Sequence, residues 1–157
     1  MDSSIARIQL TLDVVERRPH GTIVGPIWIA SGTPGAGFPE AGWWDFPVAL
    51  LGAWLPAFRR LAGRGEAAEC HFMDGPYHFA VTAANPDEWR VVCFERREGP
   101  TASNAVAEWT TTPSEFIESA IAAGRQILGH CDARGWWDAD TDRLRRALTV
   151  LDLNAAS

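Results

Sequence analysis

CHFMDGPYHF, Cys70 to Phe79, decides how the middle of this chain folds. Asp74, Gly75 and Pro76 interrupt two short apolar runs, the mark of a turn between strands. Pro76 has no N–H with which to close a two-residue Asp-Gly turn, so a four-residue loop, Met73 to Pro76, is the expected closure. With Phe72 opposite Tyr77, the side chains of Cys70, Phe72, Tyr77 and Phe79 share one apolar face, and His71 and His78 sit opposite each other on the other. A slip of one residue would place both histidines among the aromatics. The alternation therefore predicts an antiparallel hairpin with one buried side.

Working outward, EWRVVCFERR and ASNAVAEWT read as further strands, joined through the turn-rich AANPDE and REGP. Towards the start of the chain, Ile8, Leu10, Leu12 and Val14 alternate with polar residues as in a half-buried strand. TIVGPIWIA reads as its hairpin partner, with Gly25 and Pro26 suggesting a bulge or an edge position. Ser31 to Gly42 is loop by its glycine and proline content. A helix is expected from about Phe46 to Ala62, with Leu51, Leu55 and Phe58 on one stripe, Trp54 beside it, and a kink or early end at Pro56.

Thr112-Pro113-Ser114-Glu115 is a capping box with proline at the first helical position. It opens a helix whose stripe is Phe116, Ala120, Ile121, Ile127, Leu128 and Cys131, and Gly135 is placed to stop it. A last helix carries Leu144, Leu148 and Leu151. The resulting fold class is α+β: one domain over residues 1–157, an antiparallel sheet of about five to six strands with three helices packed on it, in the order ββ-α-ββββ-αα.

GWWD occurs twice, at Gly42 to Asp45 and Gly135 to Asp138, each time ahead of a leucine-rich run. One device used twice accounts for it: Asp45, and an aspartate between Asp138 and Asp142, accept hydrogen bonds from the free amides of a helix's first turn, with the tryptophans packed just before. Adjacent residues of an extended segment point to opposite sides, so one tryptophan of each pair stays partly exposed. Trp43 and Trp137 are therefore candidate partner-binding residues, since exposed tryptophan is what interface hot spots are made from. Asp138 and Asp140 join them on the acidic side.

Composition narrows the function. The 157 residues are 46% apolar and 22% charged, as in an ordinary globular protein, and the net charge of −6 argues against a nucleic-acid partner. All 14 basic side chains are arginine. The absence of lysine removes the P-loop lysine and Schiff-base chemistry together. Three separated cysteines lack a CxxC pair and read as reduced, buried thiols. No apolar run reaches the roughly 20 residues of a membrane span, and the opening MDSSIARIQLTLDVVE lacks a signal peptide's apolar core, so a cytoplasmic location without membrane partners is expected.

The polar candidates are few. His71 and His78 with Glu69 could hold a metal or sense pH, but a third strong ligand is missing and a partner-facing sheet surface is the plainer reading. Small-molecule binding or catalysis in an aromatic-lined pocket with His71 and His78, and with Asp74 or Glu69, is the alternative. His130 and Cys131 are helix neighbours about 100 degrees apart and do not form a nucleophile and base. GTPGAGF fits neither a P-loop nor GxGxxG, and the Asp138 to Asp142 group lacks a calcium loop's glycine and glutamate. Arg59, Arg60, Arg64, Arg143, Arg145 and Arg146 read as solvated helix faces. No catalytic set, cofactor or metal is expected.

FPEAGWWDFPVALLGAWL, FMDGPY and ILGHCDARGWWDADTDRL, in this order and spacing, resemble small bacterial immunity proteins found with polymorphic and contact-dependent toxins. The resemblance covers most of the chain, though its motifs are mainly fold-forming. It implies a cytoplasmic protein that binds one cognate toxin domain and blocks it, and it carries over no catalytic residue. An acidic inhibitor suits a basic toxin through electrostatic steering.

Overall fold

The computed structural model describes residues 5–33, 35–96 and 103–156, and of Ser103 and residues 151–156 the backbone only. Its class is α+β, with antiparallel sheets and three helices. Among the described residues five strands precede the first helix: β1 (Arg7–Leu10), β2 (Glu16–Arg17), β3 (Ile23–Ala30), β4 (Gly37–Phe38) and β5 (Trp44–Asp45). All four others pair with β3. Ile29 and Ala30 pair with both β1 and β4, so β3 is a central strand. At Gly25 and Pro26, where a bulge or edge is expected, the strand pairs with β5 on one side and on the other faces the break between β1 and β2, where Thr11 to Val15 stand opposite these two residues. Glycine is needed at position 25 because a Cβ would stand 2.7 Å from Val15 Cγ2.

The alternation from Ile8 to Val14 overruns the real strand, which stops at Leu10. Beyond it the chain turns, the Val15 amide donating to the Leu12 carbonyl, and leaves Val14 in solvent. Part of the expected loop, Ser31 to Gly42, instead folds back as β4, next to a cis Phe38-Pro39 bond.

Helix α1 (Pro47–Arg64) runs through Pro56, so the expected early end does not occur. One lost backbone hydrogen bond is outweighed by a fully buried stripe of Leu51, Leu55 and Phe58, with Trp54 and Leu61 beside it. The second sheet is a meander: β6 (Ala68–His71), β7 (Tyr77–Asn85), β8 (Glu88–Arg96) and β9 (Ser103–Thr111). The register places His71 opposite His78 and Cys70 opposite Phe79, and the Phe72 amide donates to the Tyr77 carbonyl across the Met73 to Pro76 loop. Asn85 pairs with Glu88 at the AANPDE turn, whereas REGP lies outside the described residues. An isolated parallel bridge joins Ile5 to Thr110, and Thr111 Oγ1 donates to the Ala6 carbonyl at 2.8 Å, tying the start of β1 to β9.

Helix α2 (Pro113–Arg134) starts as its capping box requires: Thr112 Oγ1 accepts from the Glu115 amide, and Gly135 ends the helix in the left-handed conformation. Helix α3 (Ala139–Ala156) buries Leu144 and Leu148, while the Leu151 side chain lies outside the described residues. Glycines let the helices approach closely. Gly52 of α1 faces Arg143 and Leu144, and Gly124 of α2 faces Leu144 and Leu148. Because Phe46 and Ala49 lie near Asp138 and Asp140, and Pro56 to Arg60 near Arg146 to Val150, α1 and α3 run side by side in the same direction.

A chain of aromatic contacts stitches the layers together. Trp43 meets Tyr77, Tyr77 meets Phe38, Phe38 meets Phe72, and Phe72 meets Trp54, all edge-on with centroids 5.1 to 5.9 Å apart. It continues through Phe79, Phe58 and Phe116 to Trp89. Such pairs contribute about 0.5–1.5 kcal/mol each beyond the area they bury.

Candidate functional site

Helices cover only one face of the β6 to β9 sheet. Cys70, Phe79, Val81, Trp89, Val91 and Cys93 are buried on that side. Strand alternation sends the intervening residues outward, so Glu69 and His71 are exposed and His78, Val92 and Phe94 are half-buried. Three of these rings form a stack across three strands. His71 lies 4.9 Å from His78 with the planes 22° apart, and His78 lies 4.8 Å from Phe94 at 13°. Burial, then the charge of His71, holds the His78 pKa below its ordinary value, and Arg96 adds to the effect while Glu69 opposes it. His78 is thus held between two flat neighbours in a setting that favours its uncharged form.

Glu69, His71, His78 and Arg96 border one cleft of about 310 Å³, with Phe72 and Tyr77 behind it. Among the described residues no three His, Cys, Asp or Glu side chains group as metal ligands. The alternative that placed Asp74 in this group is corrected: its amide donates to Asp45, and Asp74 does not line the cleft.

On the other side of the same hairpin loop lies a second cleft, of about 330 Å³, bordered by Met73, Phe46, Asp138 and Asp140. Phe46, which follows the first GWWD copy, and Asp138 of the second thus border one cleft, but the two copies do different work. Asp138 caps α3: its Oδ1 accepts from the Thr141 amide at 2.9 Å, and Thr141 Oγ1 accepts from the Asp138 amide at 2.8 Å. Asp45 does not cap α1, whose preceding residue is Phe46 and which has no side-chain cap. It is buried and accepts from Trp43 Nε1 and from the amides of Phe46, Met73 and Asp74 at 2.8 to 3.2 Å. The expected helix cap is in fact a clasp between the start of α1 and the β6–β7 loop. A residue in β5 with two oxygens close to a neighbouring turn finds more donors there than in its own helix.

The tryptophan pairs differ in the same way. Trp43 turns inward against Tyr77, leaving Trp44 as the more exposed ring of the first copy. In the second copy Trp137 is 63% exposed, its indole N–H on Asp132 Oδ1, and Trp136 packs against His130.

No family model, curated protein or solved structure matches this chain.

Phe94, Arg96 and Met73 are site residues that the sequence reading passed over. Phe94 and Arg96 share the parity of Val92 in β8, so carrying the His71–His78 register one strand further would have placed them on the same face. The three thiols offer no nucleophile. Burial pushes Cys70 far up, Cys93 to about 12 and Cys131 to about 11, with Asp132 and Asp138 adding to the rise at Cys131.

Proposed function

We propose that this protein neutralises a bacterial toxin domain by binding it, as an immunity protein. The observation that carries the reading is the outer face of the β6 to β9 sheet, which no described helix covers and where His71, His78 and Phe94 stack beside Val92 with Glu69 and Arg96 at the margin. Rigid, flat, partly apolar rings ringed by charge are the composition of interface cores. The resemblance of FPEAGWWDFPVALLGAWL, FMDGPY and ILGHCDARGWWDADTDRL to immunity proteins supplies the partner class. Neutralisation would take place in the cytoplasm, with no catalytic group, cofactor, nucleic acid or membrane involved.

A calorimetric titration with the purified C-terminal domain encoded immediately upstream tests the proposal. One-to-one nanomolar binding, abolished in Phe94→Arg and accompanied by protection of cells expressing the toxic domain, is the expected result. Absence of binding at micromolar concentrations overturns it.

One observation favours a second reading, a small-molecule binder or enzyme: Glu69, His71, His78 and Arg96 converge on one cleft. Its volume lies at the lower limit for ligand sites. A small molecule that shifts the His71 and His78 ring resonances at micromolar concentration would support this reading instead.

A further inference from the structure

On the helical side of the molecule, α1 and α3 leave a groove of about 410 Å³ between them. Arg59 and Arg60 form one wall and Arg143 and Arg146 the other, and no described carboxylate lines it. Arg60 reaches Glu66 only at 4.0 Å, and Arg59, Arg143 and Arg146 make no ion pair with a described residue. The floor is small and apolar: Ala53 and Pro56 from α1, Ala147 and Val150 from α3. In a chain of net charge −6, four arginines gathered on one groove are a marked segregation of charge.

We infer that this groove docks an acidic amphipathic helix of a protein partner. Residues 52–60 rise by about 12 Å along α1, so the groove accepts roughly two helical turns. Small floor residues let a third helix approach closely, and guanidinium groups on both walls meet carboxylates spaced three or four residues apart. A polyanion such as nucleic acid would meet the repulsion of the rest of the surface, whereas a short helix with local negative charge engages the groove alone. This site is distinct from the outer sheet face and does not depend on the toxin proposal.

The test uses a synthetic 18-residue helical peptide with glutamates flanking an alanine and leucine stripe, a twin with lysine at every glutamate, inorganic phosphate, and ATP. Backbone amide shifts of the protein are followed by NMR. The expected result is saturable shifts confined to residues 52–60 and 143–150 with the acidic peptide only, about tenfold weaker binding in the Arg59→Glu/Arg143→Glu double variant, and near-complete retention in Arg59→Lys/Arg143→Lys. Thermal denaturation of the variants checks that the fold is intact. Shifts elsewhere, equal binding of the lysine twin, tighter binding of phosphate or ATP, or no shift at millimolar peptide would each overturn the inference. Toxin binding that fails while the peptide still docks would sink the toxin proposal alone.

Discussion

Asp45 Oδ1 accepts a hydrogen bond from the Met73 amide at 3.2 Å, across 28 residues of chain, and the same oxygen holds the Phe46 amide at 2.8 Å. The buried carboxylate therefore fixes the start of α1 against the loop that separates the two clefts, and with it the position of His71 and His78 at the base of that hairpin.

Asp45→Ala takes the acceptor from four part-buried donors, two of them on the exposed residues Met73 and Asp74, and is expected to lower stability by about 2–4 kcal/mol, since hydrogen bonds to a charged group contribute about 1.5–3 kcal/mol each and water replaces part of the loss. Asp138→Ala removes one helix cap and should cost about 1 kcal/mol. Urea unfolding of the two variants side by side checks the ranking; equal losses would contradict the different roles of the two GWWD copies.

At Gly25, an added methyl meets Val15 Cγ2 at 2.7 Å and Val15 Cα at 3.3 Å. Gly25→Ala should destabilise by about 1–3 kcal/mol through overpacking. Adding Val15→Ala removes the nearer atom but leaves the Cα, so the double variant should recover only part of the loss. Guanidinium melts arranged as a double-mutant cycle measure this coupling, and additive effects would show that the two residues do not meet.

Acidification should weaken the fold through histidine. Burial comes first in holding both His78 and His130 below the ordinary value of 6.5, followed by the charge of His71 for one and of Arg134 for the other. Below 6.5 the unfolded chain takes up protons that the folded one refuses, so stability is full above that pH and falls as pH drops through it towards the folded values. His78→Gln and His130→Gln should each flatten the slope of unfolding free energy against pH between about 7 and 5. A slope unchanged in both would place the pH response elsewhere.

Cys70, Cys93 and Cys131 are free and buried. With their thiols held protonated, Ellman's reagent at pH 8 should label the native protein slowly and all three cysteines at once after unfolding. Fast stoichiometric labelling of one thiol in the native state would identify an accessible nucleophile and revive the enzymatic reading.

The sequence by itself determined the elements whose signal is local. The capping box at Thr112 to Glu115, the stop at Gly135, the stripe of Leu51, Leu55 and Phe58, and the pairing of His71 with His78 all follow from backbone chemistry and from keeping histidine out of an aromatic core. Tertiary structure decided whatever depends on contacts distant in the chain. β4 and β5 are two residues long and exist because β3 offers them partners, so no periodicity could announce them. Asp45 carries the same four-letter signature as Asp138, yet it clasps a hairpin because the Met73 and Asp74 amides come within reach only after the sheet forms. The arginines of α1 and α3 read singly as solvated; the side-by-side course of the two helices gathers them along one groove. Hydrophobic pattern and capping act within a few residues, whereas a site is a meeting of segments, and packing alone decides which segments meet.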